Sequence, residues 1–200
     1  MTGNPPGILV ILSGPSGAGK TTIVRRLLER GDTPLELSIS ATTRMPRQNE
    51  QDGVDYHFLA KDEFQRRVAE NEFVEYVEVF STGHLYGTLR SEVEDRLPRG
   101  VSVLLEIDVE GAAKVVEQYP TAVTIFLRPE SPEELERRLR DRGTETEQVI
   151  RRRLEAATQE MEASTWYQHH VVNHADAIEQ TVHQLADIIR QEREKRCSKN

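Results

Sequence analysis

The stretch SGPSGAGKTT, residues 13–22, restricts this chain more than any other, lying between the apolar run ILVIL and the amphipathic IVRRLLER. A plain strand-to-helix turn needs one glycine, and ordering each further glycine costs about 0.5–1 kcal/mol relative to alanine. Gly14 to Thr21 fits GxxxxGK[ST] in the context that motif requires, a strand before it and a helix after. Its glycines let successive backbone N–H groups turn inward around phosphate oxygens at a helix N-terminus, where the dipole also favours anions. Lys20 is placed to reach the β and γ phosphates of a triphosphate, and the Thr21 hydroxyl to ligate magnesium. The residues expected on the triphosphate are Gly14, Pro15, Ser16, Gly17, Ala18, Gly19, Lys20, Thr21 and Thr22. A flexible turn with a solvated lysine would leave eight matched positions unexplained.

The rest of the chain alternates short apolar runs with helical patterns. ILVILS (8–13), LELSIS (35–40), VSVLLEID (101–108), AVTIFL (122–127) and HVVN (170–173) read as strands, mostly of the near-continuous apolar kind that parallel sheets bury on both faces. TTIVRRLLER, GAAKVVEQY, SPEELERRLRDR, ETEQVIRRRLEAATQEM and AIEQTVHQLADIIRQERE carry apolar residues at three- and four-residue spacing. Ser131, Pro132 and Glu134 form a capping box with proline at the first helical position. The fold class is α/β, a P-loop NTPase-type parallel sheet flanked by helices. From about 41 to 98 the pattern changes: many turn residues, one short helix in KDEFQRRVAENEF, and VEYVEVFSTGHLYGT alternating like antiparallel strands about a turn at Gly83. This reads as a small inserted α+β lobe.

Composition narrows the function. The net charge of −8 over 200 residues argues against wrapping duplex nucleic acid, so a bound anion must meet a local positive pocket. No apolar run approaches the roughly 20 residues of a membrane helix, and no positive charge precedes ILVIL as in a signal peptide, so a cytoplasmic chain with no membrane partner is expected. The lone Cys197, in the polar tail REKRCSKN, reads as incidental.

A phosphate cradle alone does not separate a kinase from a GTPase or a motor. The segment SISATTRMPRQNEQDGVDYHF sets Arg44 and Arg47 close to Tyr56, a group able to grip one phosphate monoester through bidentate guanidinium contacts. Two solvated loop arginines and a core tyrosine would give the same letters. Here the sequence resembles the guanylate kinase family, through GPSGAGKTT, S.SATTR.PR..E..G.DYHF, NEFVE, LYGT, LEIDVEGA, RLRDRGTET and VVN, over nearly the whole chain. The resemblance implies phosphorylation of GMP by ATP with magnesium. It makes the inserted lobe (38–98) a GMP-binding lobe and 137–155 a short helical lid, in one domain whose core is 1–37, 99–136 and 156–200.

By the same resemblance Arg44, Arg47, Tyr56 and Tyr86 hold the GMP phosphate, Ser40, Glu75 and Thr88 read the guanine, and Glu106 and Asp108 lie close to the acceptor. Lid arginines Arg138, Arg142 and Arg153 close over the transferring group, beside Lys20, and Asn173 lies near the adenine. The chemistry is consistent: guanine presents two adjacent donors that one carboxylate can accept, and a hydroxyl from Ser40 or Thr88 can donate to O6. For the lid, a salt-laced surface helix is the alternative, since Glu134 with Arg138 and Glu136 with Arg140 stand four apart in the favourable order. Against it, Arg138 and Arg142 are like charges four apart, which disfavours a helix without an anion between them. Asp108, at a strand end, is placed to hold magnesium through water or to contact the acceptor, with capping of the following helix the weaker alternative. Two departures stand out: Asn49 in place of a turn glycine, which asparagine can survive by adopting left-handed backbone, and a segment before LYGT longer by about two residues. An inactive binding module, a sugar-phosphate kinase and a GTPase switch are weaker alternatives, because the loop lysine, the lid arginines and the three base readers occur together. Oligomeric state is undetermined.

Overall fold

Five buried residues in succession, Leu9 to Ser13, are the signature of a parallel strand covered on both faces, and the chain is organised around such strands. The computed structural model of the chain describes residues 7–32, 34–79, 83–141 and 146–198. Its strands are β1 (Leu9–Ser13), β2 (Leu35–Leu37), β3 (Ala41–Thr42), β4 (His57–Phe58), β5 (Phe73–Val79), β6 (His84–Leu89), β7 (Ser102–Glu106), β8 (Val123–Pro129) and β9 (His169–Asn173). Its α-helices are α1 (Lys20–Glu29), α2 (Lys61–Ala69), α3 (Arg90–Glu94), α4 (Val109–Gln118), α5 (Pro132–Asp141), α6 (Glu147–Ala163) and α7 (Ile178–Cys197). The chain divides into two compact units: Met1–Leu9, Pro34–Leu105 and Glu110–Ala122 make the first, and Val10–Thr33, Glu106–Val109 and Val123–Asn200 the second.

In the second unit β1 pairs parallel with β8, and β8 parallel with β9. Helices α1 and α7 pack together, and α5 lies on α6 through Leu135, Leu139, Ile150 and Ala157. The capping box at the start of α5 forms by half: the Glu134 N–H donates to Ser131 Oγ at 3.1 Å, while the Glu134 carboxylate turns to Arg137 and Arg138 instead of back to the cap. Guanidinium groups within one turn offer a charge-assisted bond that a lone backbone N–H does not match.

In the first unit β2 pairs parallel with β7, and a separate sheet runs β4-β3-β6-β5, with β3 parallel to β4 and the other pairs antiparallel. The hairpin β5–β6 turns at Gly83, with φ 67, as its alternation predicts; Phe80, Ser81 and Thr82, where the longer segment falls, lie outside the described residues. Strands β3 and β4 are only two residues long, too short for any periodicity, and the interval from 41 shows turn residues instead of a strand pattern for that reason. The strand expected over 35–40 ends at Leu37. Asn49 does not adopt left-handed backbone: its turn closes with the Glu50 N–H on the Arg47 carbonyl at 3.1 Å, and Asn71, at φ 57, is the one non-glycine with positive φ among the described residues.

The small sheet is held to α2 by Phe64, fully buried, with its ring stacked on Phe73 at 4.3 Å and edge-on to Tyr76 at 6.4 Å. Truncating a buried aromatic removes its transfer free energy and leaves a cavity, at a cost of about 3–5 kcal/mol. Phe64→Ala therefore lowers unfolding free energy in urea by about that amount. A loss below about 1 kcal/mol would mean that the sheet does not depend on this ring.

Candidate active site

The phosphate loop belongs wholly to the second unit. Gly14 has φ 152, and a Cβ there would sit 2.3 Å from the Leu127 carbonyl oxygen, so the chain leaves β1 against β8 only because it has no side chain. Gly19 has φ 92 and is the N-cap of α1, without a capping side chain and with no acid in the first turn. The first amides of α1 are thus left to an anion, which the helix dipole favours. Lys20 folds back over the loop, its ammonium donating to the carbonyls of Gly14 at 2.5 Å and Pro15 at 3.2 Å.

Beside the loop lies a cavity of about 380 Å³ bordered by Lys20, Thr21, Glu106, Asp108 and Glu160. The Thr21 hydroxyl donates to Glu106 at 3.1 Å. Glu106 therefore sits at the loop's hydroxyl. Asp108 is exposed on the same cavity. Glu160, on α6, is a lining group that the sequence does not mark, since nothing in its helical pattern separates it from a solvated acid. Burial pushes its carboxyl above the usual range, opposed by the nearby Lys20 charge and reinforced by Asp108. Among the described residues no three His, Cys, Asp or Glu side chains are grouped to hold a metal. The oxygens of Thr21, Glu106 and Asp108 are nevertheless hard donors of the kind magnesium takes beside phosphate.

A second cavity, about 430 Å³, is bordered by Gly17, Gly19, Thr22, Arg138, Asn173 and Ile178. Asn173, expected near the adenine, borders this cavity, and its amide is engaged within the protein. It is 3% exposed; Nδ2 donates to the Ala18 carbonyl at 2.7 Å and Oδ1 accepts from Thr181 at 3.5 Å. The same Ala18 carbonyl accepts from Arg138 at 3.4 Å, whose other nitrogens reach the Asn173 carbonyl at 3.3 Å and Glu134 at 2.7 Å. Glu134, between Arg137 and Arg138, is lowered to about 2 by those guanidinium bonds. The i,i+4 pairs read from the sequence thus form, and Arg138 reaches the loop as well. Arg153 donates to Ser16 Oγ at 3.2 Å. Arg142 lies outside the described residues.

The acceptor candidates belong to the first unit. Glu75 on β5 and Thr88 on β6 stand directly opposite in register, and the Thr88 hydroxyl donates to the Glu75 carboxylate at 2.8 Å. They are 5% and 0% exposed, so Glu75 is no solvent-facing acid. A register shift between Phe73 and Glu75 explains its orientation: with one extra residue there, Phe73, Val74 and Glu75 are all buried where strict alternation would expose one. With its proton on Glu75, Thr88 is an acceptor toward anything else.

Tyr86 stands two residues before Thr88 on the same face of β6. Its hydroxyl accepts from Arg44 Nε at 3.3 Å, and its ring lies 6.0 Å from that of Tyr56, over which the Arg44 guanidinium sits at 5.3 Å. Arg44, Tyr56 and Tyr86 are therefore gathered, while Arg47, largely exposed, stands 3.9 Å from Glu50. Glu50 organises the cluster: it takes Arg44 through two bonds, at 2.8 and 3.0 Å, and the Arg47 N–H at 2.8 Å. Those Arg44 bonds, then the Arg47 amide, hold its carboxyl below the usual range. The E of R.PR..E was visible in the sequence, but its role needed the fold.

Compared with known proteins, residues 7–192 match the family model described as guanylate kinase. The chain is 50% identical over 197 residues to the guanylate kinase of Rhodopirellula baltica, covering 98% of this chain and 93% of that one. It is 47% identical to that of Fusobacterium nucleatum subsp. nucleatum, covering 92% and 96%. The crystal structure of guanylate kinase from Anaplasma phagocytophilum superposes with a TM-score of 0.76 at 36% identity, over 95% of this chain and 88% of that one.

The Asn173 contacts make a distinction between holding the loop and reading a base. Losing the bond to the Ala18 carbonyl in Asn173→Ala weakens inorganic tripolyphosphate and ATP alike, by about tenfold, as expected for one buried hydrogen bond. Calorimetry measures both. A loss confined to ATP would instead put Asn173 on the adenine.

Proposed function

The chain belongs to the guanylate kinase family, and on that premise we propose that it transfers the γ-phosphoryl group of ATP to GMP, giving ADP and GDP, with magnesium. The observation that carries the choice of acceptor is the buried Glu75–Thr88 pair, on the same strand face as the Arg44–Tyr56–Tyr86 cluster. A buried carboxylate accepts the two adjacent donors of guanine, N1–H and the exocyclic amine, and is left unsatisfied by adenine. Ser40 donates to O6, and Arg44, Arg47, Tyr56 and Tyr86 hold the phosphate, with Glu50 keeping Arg44 extended toward it.

On the donor side, the amides of Gly14 to Thr22 surround the triphosphate and Lys20 leaves its loop carbonyls for the β and γ phosphates. Thr21, Glu106 and Asp108 would hold magnesium bound with ATP, and the ion would supply charge neutralisation to the phosphates. Arg138, Arg142 and Arg153, within a lid of 137–155 over a core of 1–37, 99–136 and 156–200, supply the charge that offsets the transferring group. Acceptor attack is in line, and no protein nucleophile takes part, since positioning and neutralisation suffice for phosphoryl transfer. Both substrates are cytoplasmic metabolites, and the described residues include no helix long and apolar enough to cross a membrane.

Two variants test the assignment. Lys20→Ala lowers kcat on the order of 10²–10³-fold, the scale for one lost transition-state donor, with the KM for GMP nearly unchanged. Glu75→Gln turns an amide NH₂ toward a guanine donor, so the ratio of kcat/KM for GMP over AMP falls by about 10² or more. If that ratio stays at the wild-type value, Glu75 does not read the base.

A further inference from the structure

With the Thr88 proton committed to Glu75, recognition of guanine O6 falls to Ser40, and Ser40 lies outside any strand: β2 ends at Leu37 and β3 begins at Ala41. What holds residues 38–40 is only partly the sheet. The Ser38 N–H donates to the Leu104 carbonyl at 2.9 Å and the His57 N–H to the Ser40 carbonyl at 2.9 Å. The remaining support comes from side chains of α3 and the residues after it. Ile39 N–H, immediately before Ser40, donates to Glu92 Oε2 at 2.9 Å, and the Leu37 carbonyl accepts from Arg96 at 3.1 Å.

Glu92 is 8% exposed, and its charge is met by Arg96 at 2.8 Å, with its second oxygen 3.0 Å from His57 Nε2. A buried, neutralised carboxylate of this kind is an acceptor of fixed place, because both of its oxygens are engaged. The element that carries it matters as well. Strand β6 runs directly into α3, Leu89 to Arg90, so one continuous stretch bears Tyr86, Thr88 and Glu92. Through Glu92 that stretch also grips the backbone N–H of Ile39, the residue before Ser40.

We propose that Glu92 is a positioning residue for base selection: by holding Ile39 N–H it places the Ser40 hydroxyl in register with the Glu75–Thr88 pair. The inference rests on the reading of Ser40 as the O6 donor. A hydroxyl contact of about 2.7–2.8 Å tolerates little displacement, and a shift of about 1 Å in a positioned group is enough to lose its effect. Glu92 touches no substrate; its influence passes through the Ile39 amide.

The experiment is a double-mutant cycle read on selectivity, with kcat/KM measured for GMP and AMP and KM for ATP measured alongside. Ser40→Ala lowers the GMP over AMP ratio by about tenfold, the loss of one hydrogen bond. Glu92→Ala lowers it by a similar factor through a raised KM for GMP, without moving the KM for ATP, and adds nothing further in the Ser40→Ala background. Glu92→Gln keeps an oxygen for the Ile39 N–H and retains the ratio, although it loses the charge toward Arg96 and its melting temperature falls. An unchanged ratio in Glu92→Ala, with only a lower melting temperature, overturns the proposal, as does full additivity with Ser40→Ala or an equal loss of selectivity in Glu92→Gln. An unchanged ratio in Ser40→Ala instead removes the base-reading role of Ser40 itself, and the role of Glu92 with it.

Discussion

The donor half depends on one carbonyl, that of Ala18 in the middle of the phosphate loop. A loop that directs its amides at an anion must direct carbonyls elsewhere, and a buried carbonyl without a partner costs about 1–3 kcal/mol. Ala18 is met by Asn173 at the end of β9 and by Arg138 of α5, so the loop is fastened to two elements remote from it in sequence. The glycines follow from the same requirement. Gly19 leaves no room for a Cβ beside the Asn173 amide, 2.5 Å away, and Gly14 none against Leu127. A bare helix start, a satisfied back side and a lysine resting on the loop's own carbonyls make a cradle formed before its ligand arrives.

The acceptor unit solves a different problem, that of keeping carboxylates out of water. Glu75, Glu50 and Glu92 are each enclosed or nearly so, and each is matched to a different kind of partner: a cross-strand hydroxyl, a bidentate arginine, and an arginine–histidine pair with a backbone amide. Desolvated charge is tolerated only with such partners. The partner decides the use. A hydroxyl leaves Glu75 with acceptor capacity for a base, whereas Arg44 and Arg96 occupy Glu50 and Glu92 and turn them into supports.

What could be read from the letters was local. The strand–loop–helix of residues 8–30, the parallel strands, the hairpin at Gly83 and the arginine-rich helix each repeat a period or a spacing within one short window. Of the candidate residues, Arg44, Tyr56 and Tyr86 stand together and Glu75 faces Thr88, while Arg47 is exposed. What could not be read depends on chain ends meeting. Ile39 and Glu92 are 53 residues apart, Ala18 and Asn173 155 apart, and neither pairing leaves a trace in spacing. The two-residue strand β3 is a product of the β6 strand beside it, and β4 of β3, with no pattern of their own. Asn49 shows the converse: a residue tolerant of left-handed backbone sits in a turn that does not ask for it.

The central claim is that one buried carboxylate, with the hydroxyls around it, selects the acceptor for a phosphate cradle that would serve many reactions. Initial rates of ADP formation from magnesium-ATP, measured on the wild-type protein with GMP, AMP, CMP and UMP at equal concentrations, test it most directly. The account requires turnover with GMP to exceed that with AMP by about 10³-fold or more, the scale at which a site built for hydrogen-bonding partners rejects a ligand lacking them. Comparable rates with AMP, or no ADP from GMP by folded protein, would contradict it.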